Sequence, residues 1–148
     1  MRLSAKSRYA LSATIHMALN NNKNEYITLI SISEKLSISK IYLEQVFSLL
    51  KRGGIVYSIK GSQGGYQLSK DSKQISVYDI LSSVETALFE TTEETLKENA
   101  PEIEAVMRDL IFDPLDASVK QILTSTSLFD LATKVQKSKE EHGFMFFI

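Results

Sequence analysis

The sequence predicts a mainly α fold with a small β-hairpin: a winged helix-turn-helix domain followed by a long dimerisation helix. Three observations predict it. A helix opening at Lys40 carries Leu43, Val46, Phe47 and Leu50 at i, i+3, i+4 and i+7, and a glycine-punctuated hairpin, Lys60-Gly61-Ser62-Gln63-Gly64-Gly65, follows it. Beyond Pro101, Ile103, Val106, Met107, Leu110, Ile111, Leu115, Val119, Ile122 and Leu123 hold one helical phase over about twenty positions, more than a small domain's core requires. The charge is also divided. Residues 1–80 hold eleven Lys and Arg against five Asp and Glu, and residues 81–148 hold six against thirteen, so +6 and −7 make up the net −1.

Each element has a local cause. Ser4 is placed to cap a first helix reaching about Leu19, with Leu11, Ile15, Ala18 and Leu19 on one face, and the Asn20–Asn24 run stops it. Lys6 and Arg8 stand in its first turn, where cations oppose the helix dipole, so a phosphate partner is the better reason for them. A short helix over Ile30–Leu36 and the Ser37-Ile38-Ser39 turn lead to the recognition helix, which Ser39 caps. Its apolar stripe faces inward, which turns Gln45, Ser48 and Arg52 outward, and Lys40 joins them at its start.

Gly53-Gly54 ends that helix because glycine takes the left-handed conformation at little cost. Strand residues Ile55–Ile59 return through Tyr66-Gln67-Leu68. Gly61, Gly64 and Gly65 remove side chains where a sugar-phosphate wall could approach, Ser62 sits at the tip, and Lys60 supplies charge. Ser76-x-x-Asp79 has the pattern of a capping-box-like start for a helix ending near Glu85, and a polar stretch, Thr86–Asn99, follows. Pro114 predicts a kink or a restart capped by Asp113 in the long helix. The apolar stripe suits pairing with a second copy through Val106, Leu110, Leu115, Val119 and Ile122; folding back on its own domain is the competing use. Ser127-x-x-Asp130 caps a short final helix carrying Leu128, Leu131 and Val135. The divisions expected are a DNA-binding domain over 1–85, a linker, dimerisation helix and final helix over 86–137, and a flexible tail over 138–148.

Composition excludes several classes. At 43% hydrophobic and 24% charged, the chain can bury a core. Without cysteine it has no disulfide, thiolate metal site or thiol redox switch. The N-terminus lacks the apolar core of a signal peptide and the wholly apolar runs are short, so a cytoplasmic protein without a membrane span is expected. No nucleophile-base constellation or phosphate-binding glycine motif points to an enzyme. A basic front half suits a polyanion such as double-stranded DNA, and the acidic rear half would repel it.

The opening M-R-L-S-A-K-S-R-Y-A-L, the I-S-x-x-Y-L-E-Q block from Ile38, G-I-V-Y-S-I-K-G-S-Q-G-G-Y-Q-L, I-S-V-Y-D-I-L-S-S-V-E and S-L-F-D-L-A together resemble the Rrf2 family of bacterial transcriptional regulators over nearly the whole chain. The resemblance implies a dimeric winged-helix repressor on an inverted-repeat operator. It assigns base or phosphate contacts to Ser39, Tyr42, Glu44 and Gln45, and wing contacts to Lys60 and Gly61. Some members hold an iron-sulfur cluster through three cysteines after the wing helix. This chain has none, so no cofactor is expected, and His16 and His142 are the only imidazoles. His16 reads as a packing or surface residue.

After the charged tether Lys137–His142 the chain ends Gly143-Phe144-Met145-Phe146-Phe147-Ile148. Phe146, Phe147 and Ile148 can enter an apolar slot while the terminal carboxylate is captured by N–H groups, or can pack on the chain's own dimer. The tail resembles the isoleucine end with which serine acetyltransferase plugs O-acetylserine thiol-lyase. Cysteine-metabolism repressors within the family are similar in tail and in lacking cluster ligands, which implies that thiol-lyase as a partner. Two other uses fit the residues: a regulator binding a small ligand between wing helix and dimer helix, or a protein-binding adaptor with a vestigial DNA-binding domain.

Overall fold

A computed structural model of the chain describes residues 2–20, 25–62 and 64–146, with side chains through residue 143. Helices α1 (Ala5–Leu19), α2 (Leu29–Leu36) and α3 (Lys40–Arg52) precede a hairpin of β1 (Val56–Ile59) and β2 (Gly65–Leu68). Then come α4 (Val77–Val84), α5 (Pro101–Met107), α6 (Asp113–Ser125) and α7 (Leu128–Phe146).

The caps are those the local sequence encodes. Ser4, Thr28, Ser39 and Ser76 each accept an N–H three residues on, and Ser76 with Asp79 and Ser127 with Asp130 form reciprocal pairs. At the end of α3 the two glycines do different work. Gly54, at φ 76°, is the left-handed residue, with its N–H on Lys51 and the Ile55 N–H on Leu50. Gly53 remains right-handed and is small for another reason, since a side chain there would collide with Ser83 Oγ on α4.

The core gathers Ile32 from α2, Leu43, Val46, Phe47 and Leu50 from α3, Val56 from β1, and Ile80 and Val84 from α4. Helix α1 corrects its predicted face. Ala10, Ala13, Thr14 and Met17 are buried, whereas Leu11, Ile15, Ala18 and Leu19 are half-buried at the flanks. Four helices, α2, α3, α4 and α7, pack on α1, and small side chains permit that approach.

β1 and β2 are antiparallel, with Val56 opposite Leu68 and Ile59 opposite Gly65. Ile27 adds a bridge to Tyr66, through N–H···O contacts of 2.9 and 2.8 Å. Between α4 and α5, residues 90–100 are mostly exposed, and Arg108 and Glu104 hold them. The Arg108 guanidinium donates to the Thr92 carbonyl at 3.1 Å and lies 3.4, 3.8 and 3.6 Å from Glu94, Glu104 and Asp113. Glu104, 5% exposed, accepts from the Leu96 N–H at 3.0 Å.

The long helix does not restart with a cap at Asp113. Residues 107, 112 and 113 all have helical dihedrals, and a π-helical turn over Arg108–Phe112 joins α5 to α6, with the Asp113 N–H on the Arg108 carbonyl. Pro114 lacks the N–H that would close an ordinary turn, so the widened turn takes up the defect. It also aligns the apolar stripe. The steps 103, 106, 110, 115, 119, 122 run three, four, five, four, three, and a π turn accommodates the step of five.

Helix α7 differs from expectation in extent and place. It is helical through Phe146, where a short helix and a flexible tether are predicted. Leu128 and Ala132 are buried and Leu128 joins the N-terminal core. The side chain of Phe146, and Phe147 and Ile148 altogether, lie outside the described residues. Among the described residues no helix is long and apolar enough to cross a membrane.

Candidate nucleic-acid interface

Helix α3 is joined by side chains to α1 at its start and to the wing at its end. The Tyr9 and Tyr42 rings meet edge to face at 5.0 Å, joining the early turns of α1 and α3. At the other end of α3, Lys51 Nζ donates to Ser58 Oγ at 2.8 Å, joining its last turn to the wing. The cations Lys6, Arg8, Lys40, Arg52 and Lys60 are each exposed.

On α3, Lys40, Glu44, Gln45 and Arg52 are exposed as predicted. Lys40 and Glu44 stand 3.7 Å apart as an i, i+4 pair, so part of their charge is mutually satisfied before any phosphate arrives. Ser39 Oγ accepts the Tyr42 N–H at 3.4 Å, which leaves its own proton to donate. Tyr42 is half-buried against Tyr9, so most of its ring serves the α1–α3 joint. One exposed residue on this helix is apolar and is not among the polar groups expected to face outward: Ile41, 70% exposed. Its signal was available, since it falls opposite the apolar stripe.

In the wing, Gly61 has open space around it and φ 119°, and with Ser62 it forms the exposed tip; Gln63 lies outside the described residues. Gly64 and Gly65 have an internal reason to be glycine. A side chain on Gly64 would strike the Ile59 carbonyl, and one on Gly65, at φ 150°, would strike the Ile27 carbonyl.

Lys6 also has a local counter-charge. Glu85, at the end of α4, accepts from Ser4 Oγ at 2.9 Å and from Ser7 Oγ, and so supplies the first turn of α1 with the acid that its own sequence lacks. The Ser7 hydroxyl above all holds the Glu85 carboxyl below its usual range; burial opposes this, and Ser4 and the charge of Lys6 add to it. His16 is half-buried on α1, and burial first, then Lys35 and Lys139, lowers its pKa.

The predicted dimer contacts lie on α5, the π turn and α6. Val106, Leu110, Leu115 and Ile122 are exposed. Val119 is half-buried and, with Leu115, borders a groove of about 330 Å³ against Tyr78, Leu88 and Phe89.

Residues 3–134 match the model of the Rrf2 family, described as iron-dependent transcriptional regulators. The regulator IscR of Cronobacter sakazakii is 44% identical over 91 residues, 62% of this chain and 56% of its own length, so the match spans little more than half of that relative. A Haemophilus influenzae protein provisionally assigned as an HTH-type transcriptional regulator is 33% identical over 96% of this chain and 93% of its own. The solved structure of CymR, the global cysteine regulator of B. subtilis, superposes with a TM-score of 0.73 at 33% identity, covering 90% of this chain and 98% of that one.

Iron does not fit the residues present. The sequence has no cysteine, and among the described residues no three His, Asp or Glu side chains gather to hold a metal ion. With a helix-turn-helix, a wing and this family match, the chain belongs to the Rrf2 family and is a DNA-binding transcriptional regulator of winged-helix fold.

Proposed function

We propose that this regulator is a homodimeric repressor that reads an inverted-repeat operator and works without an iron-sulfur cluster. In this proposal it answers to cysteine supply by binding O-acetylserine thiol-lyase through its C-terminal tail. The observation that carries the dimer is the stripe on α5 and α6: Ile103, Val106, Leu110, Ile111, Leu115 and Ile122 are large, apolar and more than half exposed on the single chain. A two-fold pairing through that stripe gives the regulator two copies of α3, and copies held about one DNA turn apart match an inverted repeat. Gln45 and Glu44 supply groups that pair with adenine and cytosine, and Lys60 and Arg8 supply phosphate contacts.

Cysteine control is supported by the near full-length likeness to CymR, and the thiol-lyase by the aromatic tail ending in Ile148. Calorimetric titration of O-acetylserine thiol-lyase with the full-length protein, and with one lacking only Ile148, tests it. Binding lost with that residue is expected; absence of binding by the full-length protein sinks the partner assignment. The groove between α4 and α6, with Tyr78 and Phe89 edge to face at 4.8 Å and Lys120 above the Tyr78 ring, favours a second reading in which a small ligand is the signal.

A further inference from the structure

We infer that Ile41 reads a 5-methyl group in the major groove, so that the operator carries thymine at one symmetric pair of positions set by this side chain. The inference rests on α3 being the recognition helix and adds a specificity-determining residue to it.

Leu43, Val46, Phe47 and Leu50 are all fully buried and define the inward side of α3. Ile41 is nine residues before Leu50, about two and a half turns at 3.6 residues per turn, and so lies diametrically opposite it. Gln45, Ser48 and Arg52 follow Ile41 at i+4, i+7 and i+11, and all are exposed. Ile41 therefore heads the outermost line of the helix, on its first full turn, at 70% exposure.

An isoleucine in that place contributes nothing to the core, and its β-branched chain has no hydrogen bond to offer. The chemistry it can recognise is apolar. In the major groove the thymine C5-methyl is the apolar group among the four ordinary bases, and small aliphatic side chains pack on it. Its neighbours leave that contact open: Lys40 and Glu44 pair with each other on one flank, at 3.7 Å, and Tyr42 turns toward Tyr9. Gln45, one turn on, is placed for an adjacent base.

The test begins with selection of duplexes from a random library by the full-length protein, followed by replacement of each symmetric thymine pair by deoxyuridine, which removes only the methyl. At one pair, wild-type affinity is expected to fall about fourfold per half-site, about fifteenfold for both. Ile41→Ala, whose circular dichroism should match wild type because the residue is exposed, is expected to lose that sensitivity. 5-Methylcytosine in place of the same thymine should keep more affinity than cytosine. Selected duplexes whose thymines can all be replaced without effect, or an Ile41→Ala protein as methyl-sensitive as wild type, would overturn the inference while leaving α3 as the recognition helix. Failure to enrich any sequence would overturn both.

Discussion

Leu110→Ala is the sharpest test of the proposed dimer. Leu110 sits at the π turn, mid-stripe, and is 71% exposed on the single chain. Burying a leucine side chain fully is worth about 1.5–3 kcal/mol, so covering the exposed part recovers about 1–2 kcal/mol per protomer. A two-fold interface counts it twice, about 2–4 kcal/mol per dimer. At about 1.4 kcal/mol per tenfold, the dimer dissociation constant should rise roughly thirtyfold to several hundredfold. Sedimentation equilibrium over a concentration series measures it directly. The monomer should be little affected, because Leu110 packs against nothing in the core, so melting at concentrations where wild type is dissociated should not move. Affinity for an isolated half-site should hold while affinity for a full operator falls. An unchanged association constant for Leu110→Ala would refute the placement of the interface on this stripe.

Gln45→Ala should weaken a specific site by about 1–3 kcal/mol and relax the preference at one base pair, whereas Lys60→Ala should weaken all duplexes alike and reduce the salt slope by about one; competition binding at several salt concentrations separates them. Glu85→Gln should cost about 1 kcal/mol, screened by its partial exposure, by weakening the bonds to Ser4 and Ser7. Because the folded carboxyl titrates below its unfolded value, its contribution is complete above the unfolded pKa and fades as pH falls through the folded one; wild type and variant should therefore converge in acid, and a pH-independent gap would contradict the assignment. Arg108→Met should leave Glu104 buried without its counter-charge, at a cost of about 2–4 kcal/mol, with faster amide exchange at Leu96 as its local sign.

What short-range chemistry controls is legible in the residues alone. Ser39, the Ser76–Asp79 box and the Ser127–Asp130 box cap within three residues, and the inward stripe of α3 follows from 3.6-residue spacing. The spacing of the long helix was legible too, although not the π turn that reconciles its step of five with Pro114. Glu85 closes on Ser4 and Ser7 from about eighty positions away, and Gly65 is held small by Ile27, neither of which any local pattern announces. Helix α1 buries Ala10, Ala13, Thr14 and Met17 and leaves its larger aliphatic residues at the flanks because four helices crowd it, whereas hydrophobicity alone favours the larger residues. Helix α7 returns to the N-terminal core through Leu128 and stays helical across a charged stretch that composition reads as a tether. Local hydrogen bonds and periodicity are encoded by neighbours in the chain; partners brought together by chain closure become visible only once the elements pack.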